Sequence, residues 1–123
     1  MSVDYKEFTA LNRKFSRASK LIEAPLKEAL SEECARFLTL VKPRTPVDTG
    51  HLRASWSVEP PSGSGLNLTA YVVNPVEYAR YIEYGTCKYA GAHMAEISMN
   101  ALRPKMSQRL QAVVLQALQE AKE

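Results

Sequence analysis

The chain has no long hydrophobic run. Nothing in it approaches the about 20 consecutive apolar residues that a membrane helix needs. Its first twenty residues are polar and charged, without the apolar stretch of a secretory leader, which leads us to expect a protein made in the cytoplasm. Cysteine is scarce: Cys34 and Cys87 are the only two, and neither falls at a metal-ligand spacing with His51 or His93, the two histidines. Two free thiols are expected rather than a disulfide. We expect no metal and no cofactor. There is no zinc finger, basic zipper or aromatic RNA-binding sheet motif either. Charge of one sign is also in short supply, with a net +3 over 123 residues.

What is present describes one ordinary folded unit. Hydrophobic residues make up 46% and charged residues 24%, enough for a single modest core over 1–123 and too little chain for two. The small positive excess is concentrated at the start, where Lys6, Arg13, Lys14, Arg17 and Lys20 face only Asp4 and Glu7. Arg13, Arg17 and Lys20 step by four and three along one helical face, either a solvated stripe or a set of phosphate contacts for DNA.

Periodicity orders the elements. Tyr5, Phe8, Leu11 and Phe15 predict a first helix over 3–17 capped by Asp4. Pro25 predicts the first turn of a second, whose stripe is Leu26, Leu30, Cys34, Phe37 and Val41, with Lys27, Glu28, Glu32 and Glu33 outside and an end before Pro43. Trp56 to Glu59 alternates as a strand stopped by Pro60-Pro61, 60–65 forms a turn, and 66–74 reads as a partner strand with Leu66, Leu68, Ala70 and Val72 on one face. Residues 77–84 fit a short helix or a third strand, and Met94 to Met99 fit strand and helix equally. Pro104 begins the last helix, with Met106, Leu110, Val113, Val114, Ala117, Leu118 and Ala121 inside and Arg109 largely outside. Residues 87–100 are then a loop, expected to order on assembly. The fold class is α+β: a small, mainly antiparallel sheet with helices on one face and long N-terminal and C-terminal helices.

Two segments stand out chemically. The first is Thr45-Pro46-Val47-Asp48-Thr49-Gly50-His51-Leu52-Arg53-Ala54-Ser55-Trp56, in which Pro46 keeps Thr45 out of the helical region and Asp48 or Thr49 offers an oxygen to cap a turn starting near Gly50. The second is Val76-Glu77-Tyr78-Ala79-Arg80-Tyr81-Ile82-Glu83-Tyr84-Gly85-Thr86. Neither reads as an active site. Asp-Thr-Gly is also the triplet of aspartic proteases, but those embed it in a hydrophobic strand and need a second carboxylate. Cys34 lies on an apolar stripe, and Cys87, although beside Lys88, has no positioned base in view. Tyr71, Tyr78, Tyr81, Tyr84 and Tyr89 read as core packing before subunit contact, and Glu83 is placed to pair with Arg53.

Together these segments resemble the two signature blocks of a tail-component family of long-tailed bacteriophages, typified by gene product ten of a lambdoid phage: Pro-x-Asp-Thr-Gly-x-Leu-Arg-x-Ser, then Tyr-Ala-x-Tyr-(Val/Ile)-Glu-(Phe/Tyr)-Gly-Thr. The resemblance extends weakly to Leu102-Arg103-Pro104, where Asn100 and Ala101 replace the family's Pro-Phe. It implies a non-enzymatic virion protein of the neck or tail end, made in the host cytoplasm. As such it would be a tail-completion or head-to-tail joining component acting as a homo-oligomeric, most often sixfold ring between the tail tube or terminator and the head connector. Its structural residues would be Pro46, Asp48, Thr49, Gly50, Leu52, Arg53 and Ser55 in the first block, and Tyr78, Ala79, Tyr81, Glu83, Gly85 and Thr86 in the second. The alternative is a small basic DNA-binding accessory protein using Arg13, Arg17 and Lys20. A weaker one is a hydrolase built on Cys87 or Asp48.

Overall fold

A computed structural model describes residues 5–47 and 49–121, the side chains of 5–12, 14, 15 and 121 excepted. In chain order the elements are α1 (Tyr5–Arg44), α2 (His51–Ala54), β1 (Ser57–Ser64), β2 (Asn67–Val73), α3 (Ala79–Tyr84) and α4 (Met94–Ala121). The fold is α+β: one antiparallel two-stranded sheet, two long helices at the chain's ends and two short ones between.

The long helices differ from the sequence expectation in one respect: proline does not break them. The two predicted N-terminal helices are one, running through Pro25, and α1 passes Pro43 to end at Arg44. The last helix starts ten residues before Pro104, so Met94 to Met99 is helical and only 87–93 of the expected loop lies outside helix. An interior proline removes one N–H and crowds the carbonyl four residues back. Strong helix formers on both sides of Pro25 and burial of the α1–α4 seam offset that loss. The seam is antiparallel and clamped by Glu33, only 3% exposed, which accepts two hydrogen bonds from Arg109 (2.6 and 2.7 Å) and one from Arg36 (2.8 Å). The sequence pattern puts both Glu33 and Arg109 on outer faces and carries no signal that they meet across 76 residues. The aromatic stripe at 5, 8, 11 and 15 and the Asp4 cap concern side chains and a residue outside the description.

The first strand of the hairpin is longer than predicted, and the turn correspondingly shorter. Strand β1 continues through Pro60-Pro61 because the ladder absorbs them: Glu59 pairs with Tyr71 and Ser62 with Thr69, leaving two β1 residues opposite Ala70 in a bulge. A bulge is where a residue without an N–H does least harm. Leu68, Ala70 and Val72 are half-buried as expected, whereas Leu66 sits exposed in the turn. Gly65 (φ 58°) makes that turn against α1, and a Cβ there would collide with the Ser19 hydroxyl. Helix α1 covers one face of the hairpin and packs along α4. Phe37, Val41, Leu52, Met94 and Leu102 form the core, and Trp56 meets Phe37 edge to face at 6.3 Å.

Candidate assembly site

The first conspicuous segment is the joint where α1 stops. Thr45, 1% exposed, donates its hydroxyl to the Val41 carbonyl (2.8 Å) and accepts the Trp56 indole N–H (2.9 Å). Its own carbonyl accepts the Arg53 guanidinium at 3.1 Å. Arg53 is therefore held by Thr45; the expected pair with Glu83 does not form. Gly50 takes φ 87°, the left-handed region that favours glycine, and starts α2. The Thr49 hydroxyl accepts the amide of His51, the first residue of α2, at 3.3 Å. Asp48, the other expected cap, lies outside the described residues. Leu52 is 5% exposed and enters the core, while the Ser55 hydroxyl donates back to the His51 carbonyl at 2.6 Å.

The second segment is a joint of the same kind at the start of α4. Tyr78 begins α3, and Gly85 (φ 86°) ends it with its amide on the Tyr81 carbonyl at 2.8 Å. The chain then turns on Thr86, whose hydroxyl accepts the amides of Lys88 and Tyr89, both at 3.2 Å. It returns through a bridge between Gly85 and Ala90 and runs beside α3, with Ala92 and His93 donating to the Ile82 and Glu83 carbonyls. This leaves Glu83, 8% exposed, beneath the first turn of α4, where its two oxygens accept the amides of Ala95 (2.8 Å) and Glu96 (3.2 Å). A carboxylate there satisfies free amides and complements the positive end of the helix. His93 and Glu96 pair nearby at 3.0 Å, and Glu83, His93 and Glu96 bring one donor each within 4.8 Å. With both Glu83 oxygens already accepting amides at a positive helix end, this trio is a cap and a poor cation site.

Asn74 joins the two segments, donating to the Leu52 carbonyl (2.8 Å) and accepting the Val76 amide (3.2 Å). Neither Thr45 nor Asn74 was flagged from sequence, since each works through partners distant in the chain; the prolines that follow them, Pro46 and Pro75, were the available signal. Held this way, the segments line one groove of about 410 Å³ with Pro46, Val47, Thr49, Gly50, Leu52, Tyr78 and Ile82. Its surroundings are apolar and open. Val47 is 55% exposed, and Tyr71, Tyr78, Tyr81, Tyr84 and Tyr89 are all exposed, so the tyrosines are surface residues and not core. Arg80 lies over the Tyr81 ring at 4.8 Å.

A family model described as "Bacteriophage HK97-gp10, putative tail-component" matches residues 9–85. The chain belongs to this family. No curated protein and no solved structure gives a significant match. As an HK97 gp10-like chain it is a phage tail component, which implies a part in the virion and contact with other virion proteins. The match takes in both segments up to Gly85, and Glu83 is the residue by which that matched portion anchors α4.

The other candidates lie apart from the groove. Arg13, Arg17 and Lys20 are exposed on α1. Cys34 is buried, its thiol pushed up by burial and then by the neighbouring Glu33, whereas Cys87 is exposed; both are free. Among the described residues no helix is long and apolar enough to cross a membrane.

Proposed function

We propose that this gp10-like chain is a structural protein of the phage neck or tail end. Its copies close a homo-oligomeric ring, most simply a hexamer, that completes the tail and joins the tail tube or terminator to the head connector. The observation that carries the reading is the convergence of both family segments on the groove of Pro46, Val47 and Tyr78, beside exposed tyrosines. Rings and interfaces are held by such apolar and aromatic surfaces rimmed by polar groups.

In this reading the segments do geometric work and not chemistry. Pro46, Thr49, Gly50, Leu52, Arg53 and Ser55 fix the wall formed by α2; Ala79, Glu83, Gly85 and Thr86 fix the wall formed by α3; Tyr78 and Tyr81 supply contact area. Asp48 belongs with the first set by its place in the family pattern. Arg13, Arg17 and Lys20 make at most weak, sequence-independent contact with DNA, because three cations release few counterions and the small affinity they supply is lost as salt is added.

The test is a pair of groove substitutions, Val47→Asp and Tyr78→Asp, carried into the particle. Each replaces an exposed side chain, so the subunit should fold and melt like the parent while particles fail to join heads to tails. Full particle yield with both substitutions would remove the groove from the assembly surface.

A further inference from the structure

The outer face of α1 changes sign along its length. Arg13, Arg17 and Lys20 are exposed near its start, on one side of the helix, and Glu28 and Glu32 are exposed further on. The cations lie past the end of α4. From Arg109, opposite Glu33, α4 continues for twelve residues to Ala121, and the same length of α1 reaches back only to Leu21. Lys20, the nearest of the three, is about 12 Å along the axis from Glu28, too far for the stripe to meet the acids of its own helix.

Those acids rim a groove. Glu28 and Glu32 of α1 and Glu120 of α4 stand over a floor of Ala29, Val113 and Ala117, enclosing about 340 Å³. Positions 28 and 32 lie about half a turn from Leu26 and Leu30, which line the hairpin side, so this groove opens on the opposite face of the helix pair. Among the described residues neither the three acids nor the three cations enter an ion pair. Lys27 and Arg36, the neighbouring cations on α1, are held by Glu23 (3.1 Å) and Glu33 (2.8 Å).

We infer that the acidic groove receives the basic stripe of a second copy of this chain. Three cations meet three acids, and no described pair joins the two sets within one chain. A single exposed ion pair adds little, but three set around an apolar floor that the contact covers act together and steer the approach. DNA would account for the cations alone and leave the acids unexplained. Stripe and groove are different surfaces carried by every copy, which is the head-to-tail relation that closes a ring. The inference rests on the ring reading for its symmetry and names the contact through which neighbours join.

Sedimentation velocity of the full-length chain over a concentration series, at low and at high salt, tests it. The parent self-associates, and added salt weakens the association. Reversing the stripe with Arg13→Glu and Arg17→Glu, or the groove with Glu28→Lys and Glu32→Lys, weakens it by about tenfold or more. Mixed one to one, the two variants recover the parent's association, because each stripe then finds a groove of opposite sign on the other variant. All four positions are exposed, and melting curves confirm that each variant folds. A parent that stays monomeric at every concentration, association indifferent to salt or to charge reversal, or a mixture no stronger than its components overturns the inference. Tight binding of duplex DNA by the parent, with self-association unaltered by stripe reversal, overturns it too. If the reversed variants still build rings in particles, the ring reading survives and only this contact falls.

Discussion

Glu83 and Glu33 are both buried acids on helices, yet their partners give them separate tasks. Glu83 accepts two amides at the start of α4. Glu83→Ala leaves those donors without a partner and should cost about 1–2 kcal/mol, read as a lower Tm with unchanged helix content. A variant that melts with the parent would contradict the cap. Glu33 is instead one half of an ion pair across the α1–α4 seam. The hydrogen bonds from Arg109 hold its carboxyl below the usual carboxylate range, against the upward push of burial, with Arg36 adding to the effect. Its folded form therefore takes up a proton later than the unfolded chain as pH falls. The stabilisation is complete above the ordinary carboxylate range and is lost as pH drops through the folded value. Glu33→Gln should lower stability by about 2 kcal/mol at neutral pH and flatten the decline of Tm in acid. An acid limb identical to the parent's would show that Glu33 is not its source.

At the scale of elements, α1 holds the sharpest claim: a 40-residue helix uninterrupted by Pro25. Pro25 is exposed and deprives the Leu21 carbonyl of its usual donor, so Pro25→Ala should stabilise the chain by about 1–3 kcal/mol. A neutral or harmful substitution, measured by thermal or denaturant unfolding, would mean that the helix breaks there. The hairpin and the apolar stripes of α1 beyond Pro25 and of α4 beyond Pro104 were legible in the sequence because a period of two or of 3.6 is a local pattern, although that pattern placed Glu33 and Arg109 outside. Helix boundaries were not. Pro25 and Pro104 carry the local signature of a first turn, and only the seam closed by Glu33 and Arg109 shows that the chain stays helical through them. Met94 to Met99 was ambiguous for a related reason: its cap, Glu83, lies eleven residues upstream of Met94, beyond the reach of a local pattern. The tyrosines were misjudged because composition states a ring's size and polarity but not whether anything covers it.

For the whole molecule, the two segments that marked the family in the sequence are also the two joints of the fold. One ties the end of α1 to α2 and β1, the other ties α3 to the start of α4, and Asn74 draws them together. What local patterns did not disclose was that joining them makes a groove, since Val47 and Tyr78 meet only after the hairpin between them has folded. The central claim is a ring at the neck or tail end. Cryo-electron microscopy of intact particles carrying this subunit with an added density tag tests it most directly. The account predicts tag density repeated around the tail axis, most simply six times, at the head–tail junction or the adjoining tail end, with Val47 and Tyr78 at a protein contact. Tag density at the distal tip or inside the capsid, or a single copy off the axis, would contradict it.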